Sequence, residues 1–127
     1  MSHFTRVKTK LVNGDLVAKS LTELGIKFFR GSETINGFMG GRTTAEFRIP
    51  TSNASYDIGL ELKNGAYELV ADWYGVRNFK QNDLVSSLNK TYSVLATKQS
   101  LEDQGFDLVS ESQEKNGEIR LILRRMG

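Results

Sequence analysis

Four carboxylates, Asp57, Glu61, Glu68 and Asp72, recur at spacings that can set them on one surface. They lie in YDIGLELKNGAYELVADW, from Tyr56 to Trp73, which reads as a β-hairpin closed by the two-residue turn Asn64-Gly65. With that turn as the loop, Lys63 pairs with Ala66 and each step outward adds a pair. Leu62 with Tyr67, Leu60 with Leu69, Ile58 with Ala71 and Tyr56 with Trp73 then make a continuous apolar face. The other face opposes Glu61 to Glu68 and Asp57 to Asp72, with Gly59 and Val70 between. Like charges directly opposite one another weaken a sheet, so this face calls for cations. A hard metal ion or a basic partner protein would supply them from outside. Arginines would supply them from within: Arg42, Glu46 and Arg48 share one face of a candidate third strand, and Arg120 and Arg124 one face of a last strand. Each exposed ion pair of that kind contributes roughly 0.2–1 kcal/mol, and the matching alternation of the arginines favours this internal source.

Other chemistry is sparse. His3 is the only histidine, so a histidine-based triad lacks its parts, and no HExxH, His/Cys cluster or nucleophile elbow occurs. No catalytic constellation, metal site or cofactor site is expected, and His3 reads as a strand-edge residue. Gly31, Gly37, Gly40 and Gly41 make a glycine-rich connection, but it leads into a strand rather than a helix, unlike a phosphate loop. A flexible hairpin connection is expected there, with Phe38 and Met39 at its tip as a candidate binding loop. Tyr74 follows Trp73 and falls on the carboxylate face, where an exposed aromatic beside Asp72 can anchor a partner. Trp73 belongs to the core side. A second candidate surface is basic: Arg6, Lys8, Lys10, Lys27 and Arg30, interleaved with Phe4, Phe28 and Phe29, have the residue types of an RNA-binding sheet face. Alternation lets one of Phe28 and Phe29 be buried, which leaves a single exposed aromatic for stacking.

The elements that must position these residues follow from hydrophobic period. The spacing predicts a strand over 4–11, a helix over about 15–24 capped by Asn13 or Asp15 and stopped by Gly25, a strand over 26–30, and a strand over 42–49 ended by Pro50. The hairpin supplies two more strands. Residues 79–104 read as helix, with Leu84, Val85, Leu88, Tyr92, Leu95 and Leu101 at helical spacing and a kink or break expected at Thr91-Tyr92-Ser93-Val94. A final hairpin over 106–110 and 119–125 turns at Asn116-Gly117. Residues 20–37 also align without a gap to 100–117, matching Ser20, Leu21, Gly25, Ser32, Asn36 and Gly37 at a constant offset. The expected architecture is α+β: one domain over 1–127, a single antiparallel sheet with two helical segments packed on one face, and two pseudo-repeated β-α-β-β halves.

Composition bounds the rest. The chain has 127 residues, 39% hydrophobic and 25% charged, with no cysteine and a net charge of +2. Disulfides and thiol chemistry are excluded, and the charge is mild for a duplex-DNA binder. No apolar run approaches bilayer-spanning length, and MSHFTRVKTK lacks the apolar stretch of a signal peptide, so no membrane partner is expected.

The opening MSHF with its basic strand, the segment YDIG, the block YELVADWYGV and the ending GF…NGEIRLILRRM resemble, across essentially the whole chain, an uncharacterised family. It is the chloroplast reading-frame family numbered thirty-five, found in red-algal plastids and cyanobacteria and also catalogued as a domain of unknown function. YELVADW is the most specific block; Tyr74 stands where many relatives carry a second tryptophan. The resemblance implies a soluble protein of a photosynthetic cell, in a cyanobacterial cytoplasm or a plastid stroma, and implies no activity or site residue. The functional expectation is therefore a small non-enzymatic accessory protein acting by protein–protein contact through Asp57, Glu68, Asp72 and Tyr74, with the Phe38-Met39 loop. The alternative is an RNA-binding module on the basic strands. A homodimer formed by pairing of edge strands is open.

Overall fold

Asn64 and Gly65 both adopt left-handed backbone, at φ 53° and 87°, the combination a type I′ hairpin turn requires. A computed structural model describes residues 3–125 of the chain. In it β4 (Asp57–Lys63) and β5 (Ala66–Ala71) leave this turn in the expected register, from Lys63 opposite Ala66 to Ile58 opposite Ala71. The two outermost expected pairs do not form. Asp57 instead sits opposite Pro50, and beyond Ala71 the chain bends into a 3₁₀ turn, Trp73–Gly75, capped by the Asp72 side chain.

Five antiparallel strands make the main sheet, in the order β1-β5-β4-β3-β2, with β1 at Thr5–Lys8, β2 at Phe29–Asn36 and β3 at Arg42–Pro50. The expected short strand at 26–30 is thus longer and later, and what the glycines suggested was a flexible connection is mostly β2. One face of the sheet buries Phe47, Ile49, Ile58, Leu60 and Leu69 completely, each such burial stabilising by roughly 1.5–3 kcal/mol. Two helices cover that face, α1 (Gly14–Glu23) through Leu16, Val17 and Leu21, and α2 (Gln81–Asp103) through Leu84, Leu88 and Tyr92. The side chain of Asn13 caps α1, accepting from the amides of Asp15 and Leu16 at 2.9 and 3.2 Å.

α2 runs unbroken through the patch where a kink was expected. Tyr92 explains it: the ring is buried, and its hydroxyl oxygen accepts the amides of Val12 and Asn13 at 3.2 and 3.0 Å. That tie outweighs the few tenths of a kcal/mol that β-branched neighbours cost a helix.

The last hairpin, β6 (Phe106–Gln113) and β7 (Ile119–Arg125), does not join the expected single sheet; it forms a two-stranded sheet of its own beside α2. The fold is α+β. The repeat holds in the order of elements, not in register. α1 and α2 end eighty residues apart, whereas β2 and β6, each of 8 residues and both bulged, and their equal connections (37–41 and 114–118) stand seventy-seven apart, so Asn36 ends a strand where Asn116 lies in a turn.

Candidate functional site

On the sheet face away from the helices a second, small cluster forms from Ile35, Ala45 and Val70, with Phe4 against it. Gly59 is its floor. A Cβ there would meet Ile35, Val70 and Ala45 at 2.8–3.0 Å, so only glycine lets the far end of β2 fold this closely over the hairpin. That fold-over decides what happens to the four carboxylates.

Asp57 is 4% exposed and Asp72 3%. One Asp57 oxygen accepts both the backbone amide and the side-chain amide of Asn36, at 2.9 and 3.0 Å, and the other faces Arg48 at 3.7 Å. Asp72 accepts the amide of Phe38 at 3.0 Å and that of Tyr74 at 3.3 Å. Neither presents a charge to solvent, which corrects the reading of both as docking residues. Their carboxylates hold the 36–41 turn and the Trp73–Gly75 turn together. The remaining pair is neutralised from inside: Arg6 of β1 reaches Glu61 at 2.7 Å and Glu68 at 3.5 Å. The internal cations are therefore Arg6 and Arg48. Arg120 and Arg124 instead bind Glu114 and Asp107 within the last hairpin, and among the described residues Arg42 makes no ion pair. Nor do any three acidic or histidine side chains among them gather as metal ligands would.

What Asp57 and Asp72 hold is a small apolar surface. Met39 is 88% exposed and Tyr74 74%. The Tyr74 ring meets Phe38 edge-on, centroids 5.5 Å apart. Beneath, Gly37 lies so close that a Cβ would come within 2.8 Å of the Phe4 ring and 3.1 Å of Asp72. The turn is closed by Gly37 donating to the Gly41 carbonyl at 2.8 Å and Gly41 to the Phe38 carbonyl at 3.0 Å. Met39 itself has φ 50°, ψ 43°, a left-handed conformation that a residue with a Cβ adopts at a cost of roughly 1–2 kcal/mol. Tyr56 is buried under the neighbouring turn, packed on Gly75; burial, and then the negative Asp72, push its hydroxyl pKa up, so it stays neutral.

Of the expected contact residues, Phe38, Met39 and Tyr74 thus share one surface, with Asp72 as their buried support; Glu68 is half-buried on Arg6, on the same side of the sheet. The basic candidates are not brought together. Arg6 and Lys8 lie on β1 and Lys10 just after it, Arg30 on β2 and Lys27 just before it, at opposite edges of the sheet. At about 4.8 Å per strand, roughly 19 Å separates the two groups. Arg6 is spent on Glu61 and Glu68; Arg30 is held by Asp15 and Glu46 at 2.9 Å each, bonds that raise its pKa. Phe28 packs on Phe47 in the core, and Phe29 is 40% exposed with Lys27 and Arg48 over its ring. His3 is exposed just ahead of β1.

Residues that sequence reasoning missed are those that tie the two turns: Asn36, Phe4 as packing rather than stacking residue, and Arg6 as counter-ion. The only available signal was parity. Once β1 is known to pair with β5, Arg6 opposite Val70 and Lys8 opposite Glu68 must face the carboxylates; the sequence does not say which strand neighbours β5.

Residues 20–122 match the model of a family described as "Protein of unknown function (DUF1257)". Full-length similarity extends to proteins named "Uncharacterized protein ycf35": one from Guillardia theta, 33% identical over 126 residues, and one from Cyanophora paradoxa, 30% identical over 126 residues, each covering 98% of both chains. A third, from Pyropia yezoensis, is 27% identical over 128 residues. No solved structure matches, and among the described residues no helix is long and apolar enough to cross a membrane.

Proposed function

The chain belongs to this family of proteins of unknown function, and we propose that it is a non-enzymatic accessory protein that docks a protein partner on the surface formed by Tyr74, Phe38 and Met39. The setting is a photosynthetic cell, in a plastid stroma or a cyanobacterial cytoplasm. The observation that carries the reading is Met39. Its left-handed backbone, with that of Gly40 at φ 78°, is what the turn closed by Gly41 and Phe38 requires. But a thioether 88% exposed on that turn packs nothing, and an exposed apolar side chain beside Phe38 and Tyr74 supports a contact role. Tyrosine and methionine are residue types that interfaces enrich: tyrosine offers large contact area at small loss of side-chain freedom, and methionine adapts its shape to the partner. Asp57 and Asp72 contribute by keeping this area in one geometry before binding, which lowers the ordering cost of association.

RNA binding remains the competing reading. In its favour stands Phe29, exposed and flanked by Lys27 and Arg48; against it stand the separation and the prior engagement of the basic side chains. Capture with the tagged chain from a cyanobacterial or plastid lysate, with and without nuclease, separates the two. A stoichiometric protein that survives nuclease and is lost with Tyr74→Ala is the expected result. Material that disappears with nuclease and is unaffected by Tyr74→Ala would overturn the protein-contact reading.

A further inference from the structure

No residue between 93 and 125 is buried, yet this stretch is patterned for burial. Ile119, Leu121 and Leu123 alternate along one face of β7, and Leu108, opposite Leu123, extends it onto β6. All of these are only half-covered. α2 packs on the β6 side, and an open cleft of about 490 Å³, lined by Val94, Leu95, Glu111 and Ile119, separates helix from hairpin. An ion pair, Lys98 to Glu111 at 2.6 Å, spans it. Among the described residues β7 has a neighbour on one side only, so its outer edge carries unpaired amides and carbonyls. Two strands alone make a marginal sheet.

The repeat shows what such an edge receives. In the first copy β3, the counterpart of β7, goes on to pair with β4. β4 alternates apolar residues with Asp57 and Glu61, and its Asp57 meets Arg48 of β3. β7 holds Arg120, Arg124 and Arg125 and no acidic residue. The pairs that Arg120 and Arg124 make with Glu114 and Asp107 at 3.4 and 3.2 Å are exposed ones, weak enough to exchange for acids across the edge. We infer that the outer edge of β7 accepts an extended strand of a partner protein in which apolar and acidic residues alternate, completing a three-stranded sheet over α2. A second copy of this chain suits the edge poorly: two β7 strands paired antiparallel about Ile122 would set Arg120 against Arg124 of the other copy, a like-charge opposition. The edge is separate from the Tyr74 surface, and the inference does not depend on that surface being used.

The test is an amide chemical-shift titration of the full chain with a synthetic octapeptide alternating Val and Glu, and with its Val–Lys counterpart. The expected result is saturable shifts at 119–125 with the acidic peptide, at an affinity at least about tenfold above that of the basic one. Arg120→Gln with Arg124→Gln should weaken the acidic peptide about tenfold, and Tyr74→Ala should leave it unchanged. Equal binding of both peptides, no binding, or shifts confined elsewhere would overturn the inference. So would concentration-dependent shifts at 119–125 without peptide, which would assign the edge to a second copy.

Discussion

A carboxylate that accepts backbone amides and lies against a buried apolar cluster has no charge to offer a partner, so Asp57 and Asp72 act on the contact surface by positioning it. Asp72→Ala orphans the Phe38 and Tyr74 amides. It should cost roughly 1–3 kcal/mol in urea denaturation and accelerate hydrogen exchange at those amides; unchanged exchange would mean the turns hold without it. Met39→Gly is the converse. Removing an exposed side chain from φ 50° relieves strain and leaves stability equal or higher by up to about 1 kcal/mol, while partner capture weakens. A loss of stability would make Met39 structural. Tyr67 carries a pH dependence. Its buried hydroxyl donates to Glu46 at 2.8 Å, and burial, then that bond, raise its pKa from 10.0 to about 12. The folded state keeps this proton while the unfolded state releases it. The contribution is therefore complete below pH 10 and is lost as pH rises to about 12, at about 1 kcal/mol per pH unit. Tyr67→Phe should destabilise by roughly 0.5–1.5 kcal/mol at pH 8. It should also show a shallower alkaline loss than the parent in guanidinium melts; equal slopes would refute the assignment.

Elements were legible where one local rule decided them. Asn64-Gly65 set the central register, and Asn13 with Gly25 set the ends of α1. What failed was non-local. The break expected at Thr91–Val94 followed from propensity, and a single long-range contact, Tyr92 with the amides of Val12 and Asn13, overrides it. Tyr92→Phe should lower stability by roughly 0.5–1.5 kcal/mol and loosen α2 around Thr91–Val94, with faster exchange there and at Val12 and Asn13. Unchanged protection at Thr91–Val94 would show that burial of the ring, and not the hydroxyl, prevents the break. The candidate site was half legible for the same reason. Phe38, Met39 and Tyr74 announce themselves as apolar residues in turns, but the burial of Asp57 and Asp72 depends on β2 folding over Gly59. Nothing in the local pattern around Gly31–Gly41 states that the segment is a strand.

Across the whole molecule burial is uneven. The helix-facing core draws on α1, α2 and the five-stranded sheet, whereas residues 93–125 contribute no buried side chain. Opening free energy follows buried contact, so the two regions should open separately. In native-state hydrogen exchange the amides of Ile58, Leu60 and Leu69 should exchange only by global unfolding. Those of β6 and β7 should exchange through a local opening at least about 2 kcal/mol lower. Equal free energies in both regions would show that the hairpin folds as one unit with the sheet. The same measurement weighs the β7 edge. A strand bound there at a hundred times its Kd raises the hairpin's opening free energy by about 2.7 kcal/mol, enough to bring it level with the core. Protection confined to β7, with β6 unchanged, would mean that the added strand covers an edge without ordering the hairpin. Protection of both strands would make partner binding the step that completes the fold.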